Sequence, residues 1–309
     1  MIGYNIRRLQ SRFPYSPSVL EKVCRISDFM AQVSGIPLLR EHLSLYGGTA
    51  LNFVHLRPPR RFSVDIDFNY RHMGESRDWG EVREEIDAVF KQVLHDQGYL
   101  DEDIRIDPSY PLSRFHVKYF NHLGFSDSFN IETGYMRRIP FLRDDAYKGF
   151  LHIGRDAEYA VKTPRSEELY ANKLVTLLSR ATPRDLYDAF VIAGEQVDER
   201  VIRGCLILES FSSLRKPLTS LDVKDIVKGI RIDDSLRMVM EEDLRPSIHE
   251  VREAAITYLD DLLESFTGDE RRCIDEFYRE RRFNPRLLEL KDVHPDIEGH
   301  PAILWVLRG

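Results

Sequence analysis

Leu45-Tyr46-Gly47-Gly48-Thr49-Ala50-Leu51, followed by Arg61-Phe62-Ser63-Val64-Asp65-Ile66-Asp67-Phe68, decides how this 309-residue chain is read. The first stretch reads as a glycine turn feeding a short helix, and the second as a strand. Strand side chains alternate, so Ser63, Asp65 and Asp67 are expected on one face and Val64, Ile66 and Phe68 on the other. The apolar set packs, and the acidic set faces water or a cation. Two carboxylates about 4 to 6 Å apart repel by a few kcal/mol at an effective dielectric near 20, so the pair stays ionised most easily around a metal ion. A hard divalent ion, Mg²⁺ or Mn²⁺, with one or two carboxylates and substrate phosphates as ligands, fits that arrangement. Gly47 and Gly48 allow torsions and close approach that a side chain forbids, so the turn suits a triphosphate beside the metal. Gly47, Gly48, Thr49, Arg61 and Ser63 form the candidate nucleotide-binding set, with Asp65 and Asp67 as candidate metal ligands. Taken singly, a Gly-Gly pair is usually a turn and an Asp-x-Asp pair a solvated strand.

Taken as an ordered set, these motifs carry more. Gly-Gly-Thr-Ala-Leu and then Arg-x-Ser-x-Asp-Ile-Asp-Phe resemble the first motif of the AbiEii/AbiGii-type nucleotidyltransferase toxins, within the DNA polymerase β-like superfamily. Downstream, Glu168-Leu169-Tyr170-Ala171-Asn172-Lys173-Leu174 and Arg184-Asp185-Leu186-Tyr187-Asp188 are similar to that family's lysine and Arg-Asp-Leu-x-Asp motifs. The resemblance spans roughly residues 40 to 195, and the last hundred residues carry no recognisable motif. It implies an α+β fold with a polymerase β-like core and mixed sheet, then a helical C-terminal region. It further implies nucleotidyl transfer from an NTP to an RNA, the 3′ end of a tRNA, by a toxin restrained by a separately encoded antitoxin. Transfer to a small-molecule or protein hydroxyl, or a catalytically silent nucleotide-binding module, remain the alternatives.

The second block also has a reading of its own. Thr163-Pro164 and Thr182-Pro183 each offer an N-cap hydroxyl followed by proline at the first helical position. On the first of these helices Leu169, Lys173 and Leu177 recur at four-residue spacing, which puts a cation inside an apolar stripe. Either its stem covers apolar surface while the ammonium reaches water, or, as the resemblance implies, it neutralises nucleotide phosphate. Asp185 sits where a carboxylate serves the helix start. Arg184 and Asp188 stand four apart, as a surface ion pair would, whereas the resemblance places Asp188 near the active centre as a catalytic residue with Asp65, Asp67 and Lys173. Glu132, in the strand-like Ser128-Phe129-Asn130-Ile131-Glu132-Thr133, is the candidate third acid of a two-metal site, or else an exposed strand residue.

Composition sets outer bounds. With 42% hydrophobic residues, the chain is expected to be globular, as one large or two modest domains. No apolar run reaches the ~18 residues of a membrane span, and the N-terminus lacks a signal-peptide core, so a cytoplasmic protein is expected, with no membrane partner. Cys24, Cys205 and Cys273 are widely spaced, which favours reduced buried thiols over disulfides or zinc. A formal charge of −7 argues against a general nucleic-acid coat. Local arginine clusters at 57 to 61, 137 to 143 and 271 to 286 are solvated faces or RNA contacts.

Helices are expected over 17 to 34 and 81 to 98, and strands near 102 to 107, 114 to 120, 128 to 136 and 159 to 162. An amphipathic helix is expected from Ser247 to Phe266. The division is placed near 165: residues 1–165 as the nucleotidyltransferase core, and residues 166–309 as the helical region.

Overall fold

The computed structural model describes residues 3–72, 79–107, 109, 111–240 and 246–309. The first long helix shows how the local rules act. Pro17 occupies the first turn and the Ser16 hydroxyl accepts from the Val19 N–H at 3.4 Å, which answers one of the helix's orphan donors. After α1 (Ile6–Gln10), this α2 (Pro17–Gly35) buries Leu20, Val23, Ile26, Phe29 and Met30 completely. α3 (Pro37–His42) leads into β1 (Leu43–Tyr46), and the turn α4 (Gly47–Ala50) continues as a π-helical turn over Leu51–His55 before β2 (Ile66–Tyr70).

Then come α5 (Trp79–Asp96), β3 (Ile104–Asp107), β4 (Leu112–Phe120) and β5 (Ser126–Gly134). The sheet order is β1-β2-β5-β4-β3, with β2 and β5 parallel and the other neighbours antiparallel. This is the mixed sheet of an α+β fold. One face is apolar: Phe68, Phe115, Val117, Phe129 and Ile131 are buried. Phe90 of α5 packs there, its ring 5.9 Å from that of Phe68 and 5.7 Å from that of Phe115, close enough for favourable tilted or edge contacts. The other face carries the polar alternates Asp67, Asn130, Glu132, Arg114, His116 and Lys118. A separate hairpin, β6 (Ala146–His152) and β7 (Ala157–Thr163), completes the strands. The sequence predicts β7 but not β6, whose only buried residues are Phe150 and His152 and whose centre holds Lys148 and Gly149.

Beyond Thr163 every regular element among the described residues is helical. The helices are α6 (Ser166–Arg180), α7 (Pro183–Ala193), α8 (Glu199–Ser213), α9 (Val223–Val227), α10 (Asp234–Arg237), α11 (Ile248–Glu264), α12 (Gly268–Glu280) and α13 (Pro301–Arg308). Thr182 caps α7 as the sequence predicts, but Thr163 does not cap α6. Its hydroxyl donates to the Leu45 carbonyl at 3.0 Å, so Thr163 ends β7 and α6 begins after Arg165. On α11 the expected stripe is core: Val251, Ala255, Leu259 and Leu262 are buried.

Contacts divide the chain into two compact units. One comprises Met1–Arg138, Asp145–Thr163 and Met238–Asp243, and holds the strands. The other comprises Ile139–Asp144, Pro164–Arg237 and Leu244–Gly309, and holds α6 and the helices after it.

Candidate active site

In the strand-bearing unit, β1 runs into Gly47, whose φ is +67°. That left-handed backbone favours glycine, and space demands it as well, because a Cβ here would strike the Asp67 carboxylate, with Cγ only 2.7 Å away. A Cβ at Gly48 would lie 2.9 Å from Ser63 Oγ and 3.0 Å from Arg61 Nη2. The two glycines thus let the turn backbone lie directly against Asp67, Ser63 and Arg61. α4 is a single turn, so its dipole is short, and what it offers an anion is mainly close backbone approach.

Asn52 braces this turn. Its amide donates to the Gly48 carbonyl at 3.0 Å and its carbonyl accepts from the Arg61 N–H at 3.2 Å. Thr49 is completely buried, and its hydroxyl donates to the Asp65 backbone carbonyl, tying turn to strand. Arg61, only 3% exposed, donates from Nη1 to the Phe62 carbonyl.

Asp67 lies in β2 between Tyr46 of β1 and Glu132 of β5, and Glu132 in turn faces Arg114 of β4. The acidic face is therefore built partly as expected, with one difference. The ladder starts at Ile66, so Asp65 sits in a bend just before it, Ser63 is buried and Val64 is partly exposed. Alternation holds only from Asp65 onward, because the Thr49 and Asn130 hydrogen bonds turn the chain there. Asp65 Oδ1 accepts from the Asn130 N–H at 3.2 Å and from its Nδ2 at 3.0 Å. Both donors reach one oxygen, Oδ1, and neither engages Oδ2.

The donor set suits a cation bound by two carboxylates with phosphate oxygens completing the shell. Asp65 and Asp67 are both partly exposed and flank a buried Ile66, and Asp67 lies against the bare backbone of Gly47. Among the described residues no three His, Cys, Asp or Glu side chains cluster as a self-sufficient metal cage. Glu132 shares a register position with Asp67, but its carboxylate accepts from Arg114 Nε at 2.7 Å.

In the helical unit, Lys173 and Asp188 meet. Nζ lies 3.0 Å from Asp188 Oδ2, with the residues 5% and 1% exposed. Lysine in the apolar stripe does not reach water by its stem, and Asp188, buried rather than on the surface, pairs with it. The two helices join at Ala181, whose φ of +51° reverses the chain. Asp185 is architectural: fully buried, it accepts from Arg180 Nε and Nη2 at 2.7 and 2.8 Å and from the Thr182 hydroxyl at 2.6 Å.

A profile described as the AbiEii nucleotidyl transferase toxin of type IV toxin–antitoxin systems matches residues 28–266. The chain belongs to this family. It is thus a nucleotidyltransferase toxin, and a type IV system implies an antitoxin partner and a nucleoside triphosphate substrate. Among solved structures it is similar to MenT4, a nucleotidyltransferase toxin of Mycobacterium tuberculosis. The TM-score is 0.59 and the identity 20%, over 86% of this chain and 92% of that one. That likeness concerns the fold. No curated protein sequence matches significantly. Nucleotidyltransferases generally use divalent metal ions.

Elsewhere in this AbiEii-family chain the C-terminal arginines and the cysteines have the following surroundings. Arg272, Arg279, Arg282 and Arg286 pair with Asp269, Asp275, Glu276 and Glu298 respectively, and Arg271 and Arg281 donate to carbonyls in the last turns of α11 and α13. The C-terminal arginines therefore answer neighbouring acids and helix ends. All three cysteines are buried free thiols. Burial pushes Cys24 and Cys273 up to about 12, far from a reactive thiolate. Among the described residues no helix is long and apolar enough to cross a membrane.

Sequence reasoning missed Asn52, Asn130 and His55. His55 closes the π-helical turn and receives Lys148 Nζ on Nδ1 at 3.3 Å, so Nε2–H donates to Thr163 Oγ1 at 3.1 Å. Thr163 passes the chain to Leu45, next to the glycine turn. Only the stem of this network, Thr163, stood out in the sequence, and there as a helix cap.

Proposed function

We propose that this toxin moves a nucleoside monophosphate from an NTP to the 3′ end of a tRNA, in the cytoplasm, with Mg²⁺ or Mn²⁺ at Asp65 and Asp67. The observation that carries the reading is the fit of Gly47 against Asp67, a position where only a missing Cβ lets backbone and carboxylate share one ligand's space. Gly47 and Gly48 give the triphosphate close backbone approach, and Ser63 and Arg61 line the same turn. Thr49 acts by holding that turn to Asp65 rather than by touching nucleotide. Lys173, its ammonium oriented by Asp188, is assigned to offset phosphate charge. Glu132 takes a lesser part than the two aspartates, since Arg114 already holds its carboxylate. A divalent ion there supplies charge neutralisation on the phosphates and eases deprotonation of the attacking hydroxyl. The protein's own contribution is positioning and fixed charge, the usual sources of rate in phosphoryl chemistry.

The test is incubation of purified protein with Mg²⁺, each labelled NTP in turn, and total tRNA, beside the Asp65→Ala variant. Label is expected at tRNA 3′ ends with the wild type only. Label confined to protein or to small molecules would redirect the reading to those acceptors. Equal toxicity of Asp65→Ala in cells would count against chemistry altogether.

A further inference from the structure

Asn130 occupies a strand although asparagine is among the residues depleted there, and its side chain is on the open polar face, where the core does not need it. Its place follows from register: Ile66 pairs with Ile131, so Asp65, one step earlier, falls beside Asn130. On the other side Asn130 pairs with His116 of β4. The amide orientation is dictated by its neighbours. Nδ2 must face the carboxylate, since Oδ1 there would set acceptor against acceptor. Oδ1 then faces His116 Nδ1 at 3.0 Å, so that ring nitrogen carries the hydrogen. The result is a directed chain: His116 Nδ1–H donates to Asn130 Oδ1, and Asn130 Nδ2–H donates to Asp65 Oδ1, which the Asn130 backbone N–H also reaches.

We infer that Asn130, oriented by His116, is a positioning residue that caps one oxygen of Asp65 and so restricts it to single-oxygen ligation, selecting an octahedral cation such as Mg²⁺ or Mn²⁺ over Ca²⁺. The reason lies in coordination chemistry. Ca²⁺ accepts bidentate carboxylates and six to eight oxygens, whereas Mg²⁺ demands a compact octahedron. A carboxylate with Oδ1 engaged by two N–H groups has one oxygen to give. Partners of this kind behind a ligand typically change metal affinity by roughly 10–100-fold when removed. The inference rests on the metal reading of Asp65 and Asp67 and adds to it two residues and a selectivity.

The experiment measures binding of Mn²⁺ alone to the full chain by electron paramagnetic resonance, with Ca²⁺ as competitor and a melting temperature for each variant. Asn130→Ala is expected to weaken Mn²⁺ about tenfold and to make Ca²⁺ the stronger competitor. His116→Ala should do the same to a smaller degree with Asn130 still present, and His116→Gln, which keeps a donor for Asn130 Oδ1, should restore the wild-type values. A merely structural role would lower the melting temperature and leave the Mn²⁺ to Ca²⁺ ratio alone. Unchanged affinity and ratio in Asn130→Ala, with wild type binding Mn²⁺, overturns this inference only. Absence of Mn²⁺ binding in the wild type overturns it together with the metal reading.

Discussion

Replacing Lys173 by methionine separates a structural cation from a functional one. The ammonium and the Asp188 carboxylate lie 3.0 Å apart, with side-chain exposures of 7% and 2%. Each charge has therefore lost most of its hydration, and each depends on the other. Removing one member of such a pair leaves a buried uncompensated charge and costs about 3–5 kcal/mol. For a protein of this size that corresponds to a fall in melting temperature of roughly 10 °C, at about 2–4 °C per kcal/mol. The double variant Lys173→Met/Asp188→Leu replaces the pair by apolar groups, and such replacements are often neutral, so most of the lost stability should return. Transfer activity should not return, because the cation assigned to the triphosphate is gone. Thermal melts and nucleotide-transfer assays on the two variants, each set against wild type, supply the comparison. A stable double variant with near-normal turnover would refute the assignment and reduce Lys173 and Asp188 to a core ion pair. A loss under about 1 kcal/mol in Lys173→Met would refute the burial argument itself, since that is the range of exposed pairs.

Two further outcomes follow from the strand-bearing unit. Gly47→Ala forces a Cβ into a backbone of φ +67° and onto the Asp67 carboxylate. It should cost about 1–2 kcal/mol of stability from the backbone alone and depress turnover by tenfold or more, whereas turnover near wild type would mean that Asp67 can move freely. The second outcome concerns pH. Burial, with help from the Lys148 charge, lowers His55 from its ordinary 6.5 to about 3. Between those values the unfolded chain binds a proton that the folded protein refuses, so this contribution is whole above about pH 6.5 and is lost as pH falls. At pH 5.5 the loss amounts to about 1 kcal/mol, one pH unit below 6.5 at 1.36 kcal/mol per unit with a discount for the ring's partial exposure. Denaturant melts of wild type and His55→Gln at pH 7.5 and 5.5 should show a smaller pH loss in the variant, and equal losses would rule this out.

What could be read from the sequence was whatever a short stretch states by itself. Gly47 and Gly48 announce a turn, Asp65 and Asp67 announce paired charge, and Lys173 stands out as a cation among leucines because helical spacing makes the stripe visible. The Thr182-Pro183 start of α7 was legible because both cap and capped amide lie within four residues. Thr163-Pro164 carries the same local signal, yet its hydroxyl goes to Leu45, 118 positions away, and the helix starts later. The local rule lost there to a tertiary hydrogen bond. β6 stayed hidden for a related reason: its strand character comes from pairing with β7, while its own sequence offers only two buried positions.

The same distinction separates the parts of the candidate site. Ligand-type residues declare themselves by chemistry, but the groups that aim them are ordinary residues whose importance lies in register. Nothing in Phe129-Asn130-Ile131 singles out Asn130 until β5 is laid parallel to β2 with Ile131 beside Ile66. A one-residue slip of that pairing would turn Asn130 to the apolar face and Ile131 toward Asp65. The slip is resisted by the burial of Phe129 and Ile131, at 1% and 0% exposure. The apolar core of the sheet is thus what places a polar amide on Asp65. It follows that substitutions at Ile131 which disturb the core should damage metal binding without touching a ligand, through the geometry of Asn130 alone.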